Sequence, residues 1–322
     1  MFHAMNISVV VLEGMFDTGL TATLDTFALA NELAPAAGEA APFEVTVTSV
    51  RRRVRTMQGL TVPTVSLARA PTPDVVLVPA LGEKTPDTLG KALERRDVRD
   101  ASDAIKQASK DGARIAAACT GTYVLAKTGL LDGRVATTTW WLSADFRQRF
   151  DEVRLEESKM VVEDGAYLTA GAALAHVDLA LWLVRQSSPA LAQLVSRYLL
   201  VDDRPTQTAY ALIDHLSHAD PIVERFERWT RAHLRDFSMS DAAHAIGASE
   251  RTLQRRLRDV LGRTPIAFVR DLRVEQATHL LRTTDLSVDE IAEAVGYHDG
   301  VTLRTLLREK TGRGVRELRR GG

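Results

Sequence analysis

Arginines crowd one face of a short helical pattern towards the C-terminal end of the chain. In 238–262, SMSDAAHAIGASERTLQRRLRDVLG, Arg251, Gln254, Arg255 and Arg258 share one side, while Leu253, Leu257, Val260 and Leu261 form an apolar stripe on the other. Arginine offers paired donors that fit guanine O6 and N7, and glutamine fits adenine N6 and N7. Such a face suits the major groove of DNA. A different chemistry is possible at Cys119, the single cysteine, which follows Ala116-Ala117-Ala118 and precedes Thr120-Gly121-Thr122. There a buried strand ends at a thiol and small residues start a helix at once. A sharp strand-to-helix turn would expose that thiol beside a helix N-terminus, whose dipole lowers a thiol pKa. The plain alternative is a buried, inert cysteine acting as a small hydrophobe.

The arginine face needs a scaffold, and the neighbouring residues supply one. Ser238 is placed to cap a first helix, with Asp241 as the acidic partner of a capping box. Met239, Ala242, Ala243 and Ile246 recur on one face, Gly247 makes the turn, and Ser249 caps the arginine-bearing helix. The same plan occurs twice: SMSDAAHAIG at 238–247 matches SVDEIAEAVG at 287–296 position for position. Thr264-Pro265 opens a long helix between the copies, running to about Arg282, and a second reading helix is expected over 299–310. Two copies in register on one connector predict a pair of helix-turn-helix heads held at fixed spacing.

The cysteine needs a different scaffold. NISVVVL at 6–12, DVVLVP at 74–79 and ARIAAA at 113–118 read as buried strands, and FEVTVTSV at 43–50 alternates as a strand. Helices are expected over 20–33, 97–111 and 171–186, with a hairpin over 159–169 turning at Asp164-Gly165. Alternating strands and helices predict an α/β domain, a parallel sheet with helices on both faces. Ligands in such sheets bind at the carboxyl ends of the strands.

Composition sets the frame. The chain has 322 residues, 45% of them hydrophobic, which fits two globular domains. The expected domains are 1–200 and 221–322, joined by a linker over 201–220 in which Arg204-Pro205-Thr206 breaks periodicity. Over 221–322 there are 19 Lys and Arg against 15 Asp and Glu, although the whole chain has a net charge of −1. A basic excess on the arginine-rich part is compatible with DNA binding. No apolar run is long enough to cross a membrane and no signal peptide is expected, while a lone cysteine argues for a reducing compartment; the expected location is the cytoplasm.

CTGTYVLAKTGLLDGRVATTTWW, with GASERTLQRRLRDVLGRTPIAFVRDLRVEQATHLLRTTDLSVDEIAEAVGY, resembles the GlxA-type regulators of the AraC/XylS family, whose N-terminal part is a PfpI-type, glutamine-amidotransferase-like domain. The resemblance spans nearly the whole chain. It implies a flavodoxin-like N-terminal domain and an all-α C-terminal domain with two helix-turn-helix motifs. It places base contacts at Arg251, Gln254 and Arg255, with Thr252 also on the DNA-binding side, and in the second head at Gly300, Val301, Arg304 and Thr305. Arg256, Arg258 and Arg308 are left for phosphates and the backbone. The second head departs from the family at Leu303, usually an aromatic, at Thr305, usually an arginine, and at Val315, usually a proline. Its base readout is therefore expected to be the weaker, with Val301 placed against a thymine methyl.

The resemblance also implies where catalysis has been lost. The family's histidine before tryptophan is Thr139, and the histidine that follows the elbow cysteine in proteolytic relatives is Thr120. The acidic residue from the first loop aligns with Gly19, leaving Asp17 and Asp25 as substitutes, and Ala80-Leu81-Gly82 stands where backbone N–H donors are usual. The N-terminal histidines are His3 and His176, the latter within an apolar helix and expected to be a satisfied core residue. A cysteine hydrolase needs a base beside the thiol. None is expected here, so no catalytic residue, metal or cofactor is assigned.

The elbow is instead expected to hold a small effector, with Asp17, Leu81, Cys119, Thr120, Thr139 and Trp141 as its candidates. Trp140 is expected in the core, while Trp141 could equally pack there or offer a face to a cation. The expected function is a ligand-responsive transcriptional regulator of promoter DNA, a homodimer through its N-terminal domain. The rival is a PfpI-type cysteine hydrolase fused to a DNA-binding domain. A redox sensor is the third reading, weakened because no second cysteine can resolve an oxidised thiol.

Overall fold

The computed structural model describes residues 4–201, 221–261 and 263–320. The chain divides into two compact units, Met1–Gln207 and Thr208–Gly322. The linker expected over 201–220 lies, from 202 on, outside the described residues.

The first unit is built on a seven-stranded sheet in the order β10-β11-β7-β6-β1-β2-β5. Its strands are β1 (Met5–Val10), β2 (Phe43–Ser49), β5 (Val65–Ser66), β6 (Val75–Val78), β7 (Arg114–Ala118), β10 (Val161–Asp164) and β11 (Tyr167–Ala170). All neighbours pair in parallel except β10 with β11, which form the expected hairpin. Side chains alternate between faces, so Ile7 and Val9 of β1 enter one core and Val10 the other. The first core is covered by α1 (Asp17–Leu33), α6 (Ala175–Ser187) and α7 (Pro189–Tyr198), and the second by α2 (Pro86–Leu93), α3 (Arg96–Lys110) and α4 (Gly121–Lys127). Shorter pieces escaped the periodicity argument. They include α2, α7, α5 (Ser143–Arg149), the antiparallel pair β3 (Arg53–Arg55) and β4 (Thr61–Pro63), and the pair β8 (Val135–Ala136) and β9 (Arg154–Leu155).

The described part of the second unit is helical throughout its regular elements: α8 (Pro221–Ala232), α9 (Met239–Ile246), α10 (Glu250–Leu261), α11 (Pro265–Thr283), α12 (Val288–Ala294), α13 (Gly300–Thr311) and α14 (Val315–Arg320). It contains two separate apolar cores. Val223, Phe226, Ile246, Leu253 and Leu257 build the first, and Ile291, Ala292, Val295, Leu303 and Leu307 the second. The connector α11 serves both, giving Phe268, Val269 and Leu272 to one and Val274, Ala277 and Leu281 to the other.

Candidate functional site

At the elbow, β7 delivers Cys119 in the left-handed region, φ 56°, and α4 starts two residues later. A non-glycine residue held there costs about 1–3 kcal/mol and persists only where its surroundings fix it. The fixing bonds are present: Cys119 N–H donates to the Ala170 carbonyl at 2.9 Å and Thr138 Oγ1 donates to the Cys119 carbonyl at 2.8 Å. Gly121 is obligatory, because a Cβ there would lie 2.4 Å from the Val78 carbonyl.

The elbow geometry is kept, with the thiol buried. Burial pushes its pKa up to about 11, against the opposing pull of the Thr120 amide and the Thr139 and Thr120 hydroxyls. The sequence expectation of a lowered pKa is therefore corrected: desolvation outweighs the dipole of a seven-residue helix. Around the thiol, Thr120 Oγ1 donates to the Leu81 carbonyl at 2.8 Å. Thr139 Oγ1 is buried and meets no partner at hydrogen-bond geometry, although it lies near enough to favour the thiolate.

His176 is engaged through both ring nitrogens. Its Nε2 accepts the Ala80 N–H at 3.0 Å, which places the ring proton on Nδ1, 2.6 Å from the Ala173 carbonyl. Burial holds its pKa down, to about 4, so the ring is neutral. The same imidazole occupies the space over Gly19, where a Cβ would lie 2.7 Å from Nε2. A carboxylate side chain at position 19 and this histidine exclude one another. The two N–H groups flanking Leu81 are also consumed, Ala80 by His176 and Gly82 by the Gly14 carbonyl at 2.8 Å.

Of the six expected ligand residues, Leu81, Cys119, Thr120 and Thr139 come together, all buried. The Asp17 Oδ2 accepts the Gln58 N–H at 3.0 Å and so anchors the β3–β4 turn, while its Oδ1 is buried and accepts no hydrogen bond. Asp25 is exposed. Trp141 is half-buried and packs against the second core. Trp140, expected in the core, is half-buried and meets Trp141 edge-on at 5.4 Å. A cleft of about 500 Å³ opens elsewhere, between Ser8, Val10 and Val76 of the sheet and Ala104, Ile105 and Ala108 of α3, and includes none of the six.

The two heads carry the other site. Ser238 accepts the Asp241 N–H and Ser249 the Thr252 N–H, as expected, and Gly247 ends α9 at φ 70°. The capping box forms only in the second copy, between Ser287 and Glu290; Asp241 is one methylene shorter. The heads also differ in their turns. Ser249 caps α10 two residues after its glycine and Asp299 caps α13 three residues after Gly296, so the second turn is one residue longer. In α10, Leu253 and Leu257 are buried while Arg251, Gln254, Arg255, Arg256 and Arg258 are exposed. In α13, Leu303 and Leu307 are buried while Val301, Arg304, Thr305 and Arg308 are exposed.

Two expected contact residues are placed otherwise. Gly300 is buried and donates its N–H to Asp289 at 2.8 Å; a Cβ there would meet that carboxylate at 2.5 Å, so Gly300 closes the turn instead of facing outward. Thr252 is half-buried and bonded to Ser249 within the cap. His176 is the satisfied core residue expected, but its bond to Ala80, like the bond of Asp289 to Gly300, is set by a partner outside its own motif and was missed.

Residues 5–186 match the model of the DJ-1/PfpI family, and residues 242–321 match a helix-turn-helix domain model. The chain is 31% identical over 203 residues to the HTH-type transcriptional regulator CdhR of Pseudomonas aeruginosa, covering 60% of this chain and 59% of that protein. It is 30% identical over 227 residues to the HTH-type transcriptional regulator ArgR of the same organism, covering 68% and 69%. A crystal structure of an AraC family transcriptional regulator from Pseudomonas putida superposes with a TM-score of 0.51 at 21% identity, over 61% of this chain and 99% of that one, which is a likeness of fold. The chain belongs to the DJ-1/PfpI family, in a form that also carries a helix-turn-helix domain.

Proposed function

We propose that the chain is a ligand-responsive transcriptional regulator that reads promoter DNA with two helix-turn-helix heads. The observation that carries this reading is the pair of outward faces, Arg251, Gln254, Arg255 and Arg258 on α10 against Val301, Arg304, Thr305 and Arg308 on α13, each backed by buried leucines. The first face reads bases and the second holds register through phosphates and one apolar contact. The N-terminal unit, over 1–200, senses a small effector and pairs two copies into a homodimer, and the protein works in the cytoplasm. Two things support that location: no helix among the described residues is long and apolar enough to cross a membrane, and the relatives are named transcriptional regulators. Effector binding shifts DNA affinity only if it favours one arrangement of the protein over another. Operator affinity of Arg255→Ala tests the reading. The expected loss is about fivefold or more, from ~1–3 kcal/mol of discrimination; unchanged affinity and site preference overturn it.

One observation favours a cysteine-dependent hydrolase, the strained left-handed backbone of Cys119 at its elbow. Against it stand the raised thiol pKa and the occupied His176. Alkylation by iodoacetamide decides between them: labelling of Cys119 faster than free glutathione supports the hydrolase, and slower labelling supports a structural thiol.

A further inference from the structure

The two heads do not share an apolar core. The connector α11 splits at its middle, with Leu272 in the first core and Val274 in the second. Apolar packing is non-directional, and here it also leaves the angle between the heads unspecified. The seam is occupied by polar groups. Asp271 is buried, with its side chain 7% exposed, and its two oxygens face two cations. Arg263, just beyond the C-terminal end of α10, donates to Oδ2 at 2.5 Å. Lys310, in the last turn of α13, brings Nζ within 2.9 Å of Oδ1, off the hydrogen-bond direction, so that contact is Coulombic. One carboxylate on the connector thus ties the ends of both reading helices.

A second polar contact lies two residues on. The Arg273 guanidinium donates to the Leu234 carbonyl at 2.8 and 3.1 Å, and it lies 5.2 Å over the ring of Tyr297, in the longer second turn. Gly296 of that turn is pressed to the backbone before α9: a Cβ would lie 2.5 Å from the Leu234 carbonyl. Buried ion pairs add little net stability, since desolvation offsets attraction, but they can fix one register among several.

Resting on the DNA-reading function proposed above, we infer that Asp271 is a positioning residue that sets the spacing of the two reading heads through Arg263 and Lys310. It touches no base or phosphate in this role. Asp271→Asn keeps the size of the side chain and removes the charge, leaving two cations facing each other across the seam.

The test uses the full chain with spin labels on His244→Cys and Glu309→Cys, exposed positions in the first and second heads, in a Cys119→Ser background. With the labelled chain diluted into an excess of unlabelled Cys119→Ser chain, so that pairs within one protomer dominate, double electron–electron resonance is expected to give one narrow distance and a broadened or shifted distribution when Asp271→Asn is added. An unchanged distribution overturns the inference. Selection from a randomised duplex library then reads the consequence. The unlabelled wild-type chain should return two boxes at one spacing. Asp271→Asn should return the same first box with several spacings, losing about tenfold on the wild-type site and less than about twofold on a duplex keeping only the first box. Equal losses on both duplexes indicate general unfolding and overturn the positioning role. If the wild-type chain selects no sequence, the DNA-reading function fails, while the distance measurement still decides the clamp.

Discussion

The two heads share a sequence plan and differ in what holds them. The first has a short turn at Gly247, whose φ is 70° and whose missing Cβ would meet nothing within 4 Å. The second has a longer turn at Gly296, with φ 86° and three groups within 2.7 Å of where a Cβ would stand. The first presents three exposed arginines and a glutamine at Arg251, Gln254, Arg255 and Arg258; the second presents a valine, a threonine and two arginines. The head with the richer reading face has the open turn and the head with the poorer face the crowded one, while Arg273, Tyr297 and Asp271 tie the two together. A repeat can therefore divide labour, one copy for readout and the other for placement.

The largest expected effect would break this contrast at the turns. Gly247→Ala should cost about 1–2 kcal/mol, the strain of a left-handed alanine. Gly296→Ala adds overpacking to that strain and should cost about 2–5 kcal/mol. Amide exchange over 288–311 against 239–258 checks it; similar losses in both heads would remove the distinction. Next come the faces. Arg251→Ala should weaken operator binding by about fivefold or more, from ~1–3 kcal/mol per base contact. Val301→Ala, at the equivalent position, should cost under about threefold and leave the salt dependence unchanged, as an apolar contact releases no counterion. Titrations at two salt concentrations separate the pair. The smallest effect concerns the caps. Glu290→Ala removes one charge-assisted hydrogen bond and should cost the second head about 0.5–1.5 kcal/mol. Asp241→Ala removes no side-chain bond of that kind and should cost the first head less, as denaturant midpoints will show.

Much of this was legible because it is local. Caps, glycine turns and apolar spacing are fixed within a few residues, so both heads, the connector and the main strands could be read directly. The strand-to-helix junction at Cys119 was legible for the same reason. What stayed hidden depends on distant partners. Gly19 and His176 exclude a carboxylate only because the fold brings α1 against α6, and neither residue reveals the other in sequence. The raised thiol pKa follows from burial by surroundings that no elbow motif encodes. Gly300 resembled a contact residue because its role depends on Asp289, in the preceding helix.

The split ownership of α11 has a further consequence. A helix that belongs to two cores need not have one stability along its length. Amides near Phe268 and Val269 should exchange with the first head, and those near Ala277 and Leu281 with the second. Protection would then step near the middle of a single unbroken helix, and the chain could melt one head while the other stayed folded around its own half.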